Sequence, residues 1–186
     1  MIYEPKEFIL KDGRKVIFKT PEISDAKKLL NSIITVANST DFLLSTEQDF
    51  EHYVKDITKE ENFIASAREG TDYLIAVYDN DVIVGNCSLN FKRFQKERHR
   101  ASIGIAIQKP YWDKGIGSLL FDEMIKLAKQ KEEIELIELD VIATNERAKH
   151  LYMKKGFVKT GDIPRQLKLK DGTYLDGEAM VLFLKK

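Results

Sequence analysis

The chain has 186 residues, of which 43% are hydrophobic and 32% are charged, and its 30 basic residues balance its 30 acidic ones. This composition is ordinary for a soluble globular protein, and the lack of a basic excess argues against a general nucleic-acid binder. The N-terminal sequence MIYEPKEFIL lacks a signal-peptide pattern, and no apolar run approaches the roughly 20 residues of a membrane span, so a cytoplasmic protein without membrane contact is expected.

The first predicted elements are a hairpin and two helices. FILKDGRKVIF indicates two short strands that turn at Asp12 and Gly13. SDAKKLLNSIITVA has apolar residues at helical spacing, with Ser24 as the expected N-cap. STEQDFEHYVKDI repeats this pattern, and Ser45 with Gln48 forms a capping-box pattern at its start.

The next predicted elements are strands. DYLIAVYDNDVIVGNCSLNF indicates a hairpin that turns at residues 79–81, and its only cysteine, Cys87, is interpreted as a packed side chain rather than a reactive thiol. ASIGIAI is a further strand, with Ser102, Gly104 and Ala106 on one thin face. These small residues either leave room for a ligand or pack under a helix.

A glycine turn joins this strand to a strongly amphipathic helix in IQKPYWDKGIGSLLFDEMIKLAKQ. Gly115 and Gly117 would let an anion approach the first-turn N–H groups, where the helix dipole adds positive charge. Lys114 adds a formal charge and Ser118 a hydroxyl group. The alternative is a turn whose glycines only relieve backbone strain. Neither the Walker A pattern nor the dinucleotide-binding fingerprint fits these residues.

The last predicted elements are the strand IELIELDVI, a short helix in NERAKHLYMKKGF, and the final strand EAMVLFLKK after a turn at Asp171 and Gly172. Asn145 stands where the helix begins, and Gly156 is expected to end it as the C′ residue. This order of strands and helices predicts an α/β (α+β) mixed sheet with helices on its faces.

The segment LDVIATNERAKHLYMKKGFVKTG resembles the GNAT superfamily of acetyl-CoA-dependent N-acetyltransferases, whose members carry an N-x-x-A-x-x-L-Y-x-x-x-G-F pattern. The matching residues are Asn145, Ala148, Leu151, Tyr152, Gly156 and Phe157. The family's Q/R-x-x-G-x-G/A turn is met at Gly115 and Gly117, but Trp112 replaces Gln or Arg. The resemblance runs from about Tyr73 to Phe183. It implies one GNAT-like acyl-CoA N-acyltransferase domain over residues 1–186, with a central mixed sheet flanked by helices.

The resemblance also implies acetyl-CoA as co-substrate, no metal, and direct attack of a primary amine on the thioester within a ternary complex. Tyr152 is then the expected general acid that protonates the leaving thiolate, and its alternative role is that of a core aromatic residue. Asn145 is a helix N-cap, a cofactor contact, or both. The cofactor contacts implied by the resemblance are Ile105, Ala106, Ile107, Trp112, Asp113, Lys114, Gly115, Ile116, Gly117, Ser118, Asn145, Tyr152 and Lys155.

The general base and the acceptor stay open at this point. His99, Asp140 and Glu178 are the ionisable candidates, and none is assigned as the base. The resemblance implies an amine of a small molecule or a protein as acceptor, and it is compatible with a homodimer. Two alternative functions are a non-catalytic acyl-CoA sensor of the same fold and a nucleic-acid module that uses the basic stretch Lys92–Arg100.

Overall fold

The computed structural model describes residues 1–46, 49, 57–70 and 72–185, which contain eight strands and four α-helices. In chain order these are β1 Lys6–Ile9, β2 Lys15–Lys19, α1 Ala26–Ala37, α2 Thr58–Arg68, β3 Asp72–Asp79, β4 Val82–Phe91, β5 Arg100–Ile107, α3 Ile116–Lys129, β6 Leu136–Ile142, α4 Glu146–Lys154, β7 Val158–Lys168 and β8 Tyr174–Phe183.

The strands form one mixed sheet in the order β1-β2-β3-β4-β5-β6-β8-β7. Strands β5 and β6 pair in parallel, whereas the pairs β1–β2, β2–β3, β3–β4, β6–β8 and β7–β8 are antiparallel. The predicted mixed α/β fold is therefore confirmed.

The chain forms two compact units, one of residues 1–90 with 104–120 and the other of residues 91–103 with 121–186. Strand β5 and helix α3 each run from one unit into the other. The expected single domain stays a prediction.

In the first unit, α1 and α2 pack against one face of β3. Because side chains alternate along a strand, Leu74, Ala76 and Tyr78 share this face, and they form a buried cluster with Leu29 of α1 and Ile64 of α2. The ring of Tyr78 is buried there, and its hydroxyl donates a 2.8 Å hydrogen bond to a carboxylate oxygen of the buried Asp25. The helices thus cover the middle of the sheet on one side.

In the second unit, an aromatic cluster lies beneath α3 and α4. The ring of Phe121 is 5.2 Å from that of Tyr152 and 5.7 Å from that of Phe157, centroid to centroid. All three side chains are buried, with exposed fractions of 0%, 8% and 2%. Such tilted and edge-on pairs contribute beyond their buried area, so the ring of Tyr152 is fixed by packing.

The helix starts partly differ from the sequence expectations. Ser24 is not the N-cap of α1, because a 3-10 turn over Ile23–Asp25 precedes the helix and Asp25 takes that position. The expected helix in STEQDFEHYVKDI falls largely on residues 47, 48 and 50–56, which lie outside the described residues. Helix α2 was not predicted, because its sequence TKEENFIASAR has a weak apolar stripe.

The end of α4 is as predicted, and it can be tested by substitution. Gly156 has φ +92°, and a Cβ there would lie 3.3 Å from Leu182 Cδ1. Gly156→Ala is expected to lower the free energy of unfolding by about 1–2 kcal/mol, because other residues strain in this conformation. That loss should lower the Tm by roughly 2–8 °C in a thermal melt.

Gly161→Ala is the matched control, because a Cβ at Gly161 meets nothing within 4 Å and its φ is not positive. Its Tm should stay within about 2 °C of the parent, the shift that a neutral surface change gives. Equal Tm losses for the two variants would contradict the role given to Gly156.

Candidate active site

The turn before α3 contains two residues in left-handed conformations. Asp113 has φ +59° and Gly115 has φ +98°. A Cβ at Gly115 would meet only Lys11, at 3.8 Å, so backbone conformation rather than crowding requires glycine there. The turn delivers the chain into α3 at Ile116, and the first bond back to the turn runs from Leu119 N–H to Gly115 O at 3.1 Å.

This geometry places bare N–H groups at the start of α3. The N–H groups of residues 116–118 precede the first helical hydrogen bond and have no acceptor within the helix. Gly117 has no positive φ, so its conformation does not account for the glycine. Because Gly117 has no Cβ, the first turn of α3 is open at that point, and an anion can approach it closely.

The β1–β2 hairpin holds this turn in place. The N–H of Lys11 donates to Lys114 O at 3.1 Å, and the ammonium of Lys114 lies 3.0 Å from the Asp12 carboxylate. Arg14 also pairs with Asp12, at 2.8 Å. The hydrogen bond from Arg14, and to a smaller extent that from Lys114, holds the pKa of Asp12 well below its usual range. The charge of Lys114 is thus shared with Asp12 rather than free.

A second set of contacts fixes the segment between β5 and the turn. The indole N–H of Trp112 donates to Ile107 O at 2.7 Å, and the hydroxyl of Tyr111 donates to Asp79 at 2.7 Å. The guanidinium of Arg14 lies 4.4 Å from the centroid of the Tyr111 ring. Trp112, which replaces the family's usual residue, therefore braces the turn through its side chain.

Strand β5 has one edge toward β4 and a second edge that faces away from it. Gln108 N–H donates to Val84 O at 3.0 Å and Lys92 N–H donates to Arg100 O at 3.3 Å, and together these bonds indicate an antiparallel register in which even-numbered residues of β5 bond β4. The backbone groups of Ile105 and Ile107 therefore face the opposite edge. A Cβ at Gly104 would meet only Ser88 Oγ, at 3.5 Å, so no packing contact requires glycine there. This favours the interpretation that the thin face leaves room for a ligand.

The parallel pairing of β5 with β6 is short. Arg100, Ala101 and Ser102 pair with residues 136, 137 and 138, and among the described residues no pair of Ile103 with Leu139 follows. A cavity of about 450 Å³ lies over this part of the second unit.

The remaining predicted site residues lie on α4. The Asn145 side chain accepts a 3.2 Å hydrogen bond from Ala148 N–H, so its expected N-cap role is confirmed. Tyr152 is 8% exposed within the aromatic cluster. Lys155 follows the helix, and its ammonium lies 2.6 Å from Asp122. Asn145, Tyr152 and Lys155 belong to the second unit, whereas residues 105–107 and 112–118 belong to the first.

The three candidate bases have different surroundings. Glu178 lies 3.2 Å from the Lys149 ammonium and 3.4 Å from that of Lys159, so its carboxylate is neutralised. Asp140 lines the cavity and has no ion-pair or hydrogen-bond partner in the described part of the chain. His99 uses its backbone carbonyl to accept from Glu135 N–H at 2.8 Å.

Comparison with known proteins places the chain in a family. The model of the Acetyltransferase (GNAT) family matches residues 28–157, which is more than half of the chain. The chain belongs to the GNAT acetyltransferase family. The expected acetyl-CoA-dependent N-acetyltransferase class is thereby confirmed.

Individual relatives agree with this assignment. L-amino acid N-acetyltransferase AaaT of Escherichia coli (strain K12) is 31% identical over 113 residues, which are 61% of this chain and 68% of the relative. A GNAT-family acetyltransferase of Streptococcus pneumoniae is 25% identical with a TM-score of 0.82, covering 91% of this chain and 99% of that one. The structure of yncA from Salmonella typhimurium with its cofactor acetyl-CoA has the same fold, at 16% identity, a TM-score of 0.77, and coverage of 92% and 95%.

Several features of this GNAT enzyme bear on the other expectations. Cys87 is buried, and burial raises the pKa of its thiol, in line with a packed side chain. The described residues contain no helix long and apolar enough to cross a membrane and no group of three or more potential metal ligands. Lys92 and Arg100 of the basic stretch both pair with Glu138.

Sequence reasoning missed the hairpin contacts of the GNAT turn. Asp12 was noted only as part of the turn with Gly13, Asp79 only as part of the turn at residues 79–81, and Arg14 was not singled out. No local pattern joins residues 12 and 114, because the sheet alone brings them together. The alternation of β5 did indicate the thin face correctly.

The low pKa of Asp12 predicts an acid-dependent contribution to stability. A group whose folded pKa is depressed stabilises the fold above its unfolded pKa, near 3.8, and this contribution is lost as the pH falls toward the folded value. Asp12→Asn should therefore lower the Tm at pH 7, and its difference from the parent should narrow below pH 4. Thermal melts across pH 2–7 at low salt measure this.

Glu7→Gln is a suitable control because Glu7 lies on the same hairpin, in a single exposed pair with Lys15 at 2.9 Å. Glu7→Gln should change the Tm little at any pH, because exposed ion pairs contribute little to the free energy of unfolding. A difference between Asp12→Asn and the parent that does not vary with pH would argue against the assigned ion pairs.

Proposed function

We propose that the chain transfers an acetyl group from acetyl-CoA to a primary amine by direct attack within a ternary complex, with Tyr152 as the general acid. The acceptor is an amine of a small molecule or a protein. The observation that carries the proposal is the bare first turn of α3, held by the β1–β2 hairpin at the end of β5. Family membership supports the same chemistry.

The described residues fit acetyl-CoA by their geometry. The N–H groups of residues 116–118 can bind the pyrophosphate. The outward backbone groups of Ile105 and the N–H of Ile107 can bond the pantetheine amides as a neighbouring strand would, while Ile107 O already accepts from the Trp112 indole N–H. Gly104 and Ala106 leave space beside that arm. The remaining proposed contacts are Trp112, Asp113, Lys114, Gly115, Asn145, Tyr152 and Lys155.

Two of the proposed contacts are lysines whose ammonium groups already pair with a carboxylate of the chain. Lys114 pairs with Asp12 and Lys155 with Asp122. Their main contribution would therefore be to position the turn and the end of α4, while the backbone N–H groups bind the phosphates. A cation shared with a carboxylate still adds a favourable field for an anion, but less than a free cation does.

The chemistry requires three events at the thioester. Bound acetyl-CoA would supply the acetyl group, and the neutral amine nitrogen would form a bond to its carbonyl carbon while the carbon–sulfur bond breaks. The proton that the amine loses in forming the amide would pass to solvent water, and water would return a proton to Tyr152. The hydroxyl of Tyr152 would donate its proton to the leaving sulfur. The packing against Phe121 and Phe157 would hold the phenol ring in one orientation, so that little reorganisation accompanies the transfer. No residue is assigned as the base.

The names of the relatives do not fix the acceptor. The Escherichia coli relative is named for L-amino acids, and a structure of the same fold from Brucella melitensis is named a ribosomal-protein-alanine N-acetyltransferase. The alternative function is a non-catalytic acyl-CoA sensor of the same fold, and measured turnover on any amine would exclude it. A cytoplasmic location and a homodimer stay predictions.

The role of Tyr152 predicts a specific kinetic change. Tyr152→Phe keeps the ring packing and removes the hydroxyl, so kcat should fall roughly 10²–10⁴-fold while the dissociation constant of acetyl-CoA stays nearly unchanged. Thiol release measures kcat, and isothermal titration measures binding. Tyr174→Phe is the control, because Tyr174 is 46% exposed on β8 and outside the proposed site. An unchanged kcat in Tyr152→Phe would remove the general-acid role.

The bare turn predicts a loss of cofactor binding when it is filled. Acetyl-CoA at 100 times its dissociation constant should stabilise the parent by about 2.7 kcal/mol, or very roughly 5–10 °C. Gly117→Val should lose this shift, because a branched side chain covers the N–H groups, whereas Gly161→Val should keep it. ATP and NADH should shift neither protein. A retained shift in Gly117→Val would mean that the turn is only structural.

A further inference from the structure

The cavity of about 450 Å³ in the second unit has a mostly polar lining. Its lining residues have no assigned role in the proposed acetyl transfer. Its charged residues are Lys92, Arg100, Glu138 and Asp140. Ser102 pairs with Glu138, and side chains alternate along each strand, so Arg100, Ser102, Glu138 and Asp140 lie on one face of the sheet. The cavity therefore begins where β5 and β6 still pair and extends to where that pairing has ended.

One end of the cavity carries a net positive charge. The ammonium of Lys92 lies 2.9 Å from Glu138, and the guanidinium of Arg100 also bonds this carboxylate. Two cations thus share one anion. Their side chains stay 34% and 39% exposed, and the Arg100 Nε–H has no hydrogen-bond partner in the described part of the chain. Glu138 leaves donors of both cations unused.

The other end carries the negative charge of Asp140, which no residue in the described ranges neutralises. Asp140 is exposed, and its partner across the sheet on β8 is the uncharged Ala179. Nearby carboxylates in the same unit, those of Glu178, Asp162 and Asp122, each lie within 4 Å of a lysine ammonium. For Asp140 the described residues supply no such cation.

The two ends of the cavity lie close together, because Glu138, which both cations bond, and Asp140 are neighbours on the same face of β6. Glu138 and Asp140 are two residues apart on β6, which places their Cα atoms about 6.5 Å apart. A molecule that bridges the ends needs a cation and an anion separated by only a few bonds. The formal charges of the four side chains sum to zero, so the cavity is dipolar rather than acidic or basic.

We propose that this cavity binds the acceptor, and that the acceptor is a small zwitterion of the amino-acid type. Its ammonium pairs with Asp140 on binding and gives up one proton to solvent water before the neutral amine attacks. Its carboxylate accepts hydrogen bonds from Arg100 and Lys92, and the planar guanidinium is well shaped for this contact. This inference rests on the proposed acetyl transfer. A polyamine would leave the cationic end without a partner, and a peptide N-terminus has no carboxylate near its amine.

The test is an acceptor panel at saturating acetyl-CoA, with thiol release as the readout. The panel holds the twenty common L-amino acids, the α-amide of each, spermidine and an alanine-initiated peptide. At least one free amino acid should exceed its own amide about 10-fold or more in kcat/KM, because the amide removes a charge-assisted hydrogen bond. A best substrate whose amide reacts equally well, or a preference for spermidine or the peptide, would overturn the inference.

Two variants assign the ends of the cavity. Asp140→Asn should lower kcat/KM for the best amino acid roughly 10–100-fold, mainly by raising its KM, and leave the KM of acetyl-CoA unchanged. In Arg100→Gln, the ratio of kcat/KM for the free amino acid to kcat/KM for its α-amide should be close to one. Asp162→Asn, which removes an exposed carboxylate on β7 (73% exposed), is the control and should change neither value. An unchanged kcat/KM in Asp140→Asn sinks the assignment of the ammonium site.

A thermal shift with acetyl-CoA, recorded for every variant, separates two kinds of failure. No shift in the parent together with no turnover on any amine would refute the proposed acetyl transfer itself. A normal shift with turnover only on spermidine or the peptide would refute the zwitterion site and leave the acetyl transfer standing. A variant that keeps the shift is folded, so its kinetic change can be read directly.

Discussion

The early end of the parallel pairing between β5 and β6 is the constraint on which the rest of the site depends. A paired strand edge has its N–H and C=O groups satisfied, and its neighbour fills the space beside it. Because the pairs stop at Ser102 and Glu138, β5 continues with its outer edge set by other partners, of which Trp112 is one. The cavity of the second unit begins at the same point.

The carboxylates of the molecule fall into two groups: those that pair with a lysine or an arginine, and those without such a partner among the described residues. Most carboxylates near the site are committed to lysine or arginine, as in Asp12 with Lys114 and Glu178 with Lys149. Such partly exposed pairs add little stability, but they fix side-chain positions. Asp140 belongs to the second group, because no described residue neutralises it. A carboxylate kept without a partner beside a cavity is better suited to recognising a ligand than to holding the fold.

Much of the fold could be predicted because its signals are local. The turn at Asp12 and Gly13, the alternation in ASIGIAI, and the N-cap at Asn145 each depend on a few adjacent residues. The pairing of Lys114 with Asp12, or of Arg100 with Glu138, depends on strand order and register instead. No spacing rule in one sequence reports those contacts. For the same reason the sequence indicated a phosphate-binding turn but not which of its charges was already neutralised.

The backbone bond between Lys11 and Lys114 has a consequence for the order of folding. It closes a loop of roughly a hundred residues, and contacts of such high sequence separation form late because the chain between them loses much entropy when its ends meet. The hairpin is synthesised first but must wait for the segment after β5 before it can dock. We therefore expect the turn before α3 to be among the last parts of the first unit to become ordered, after the cluster of α1, α2 and β3.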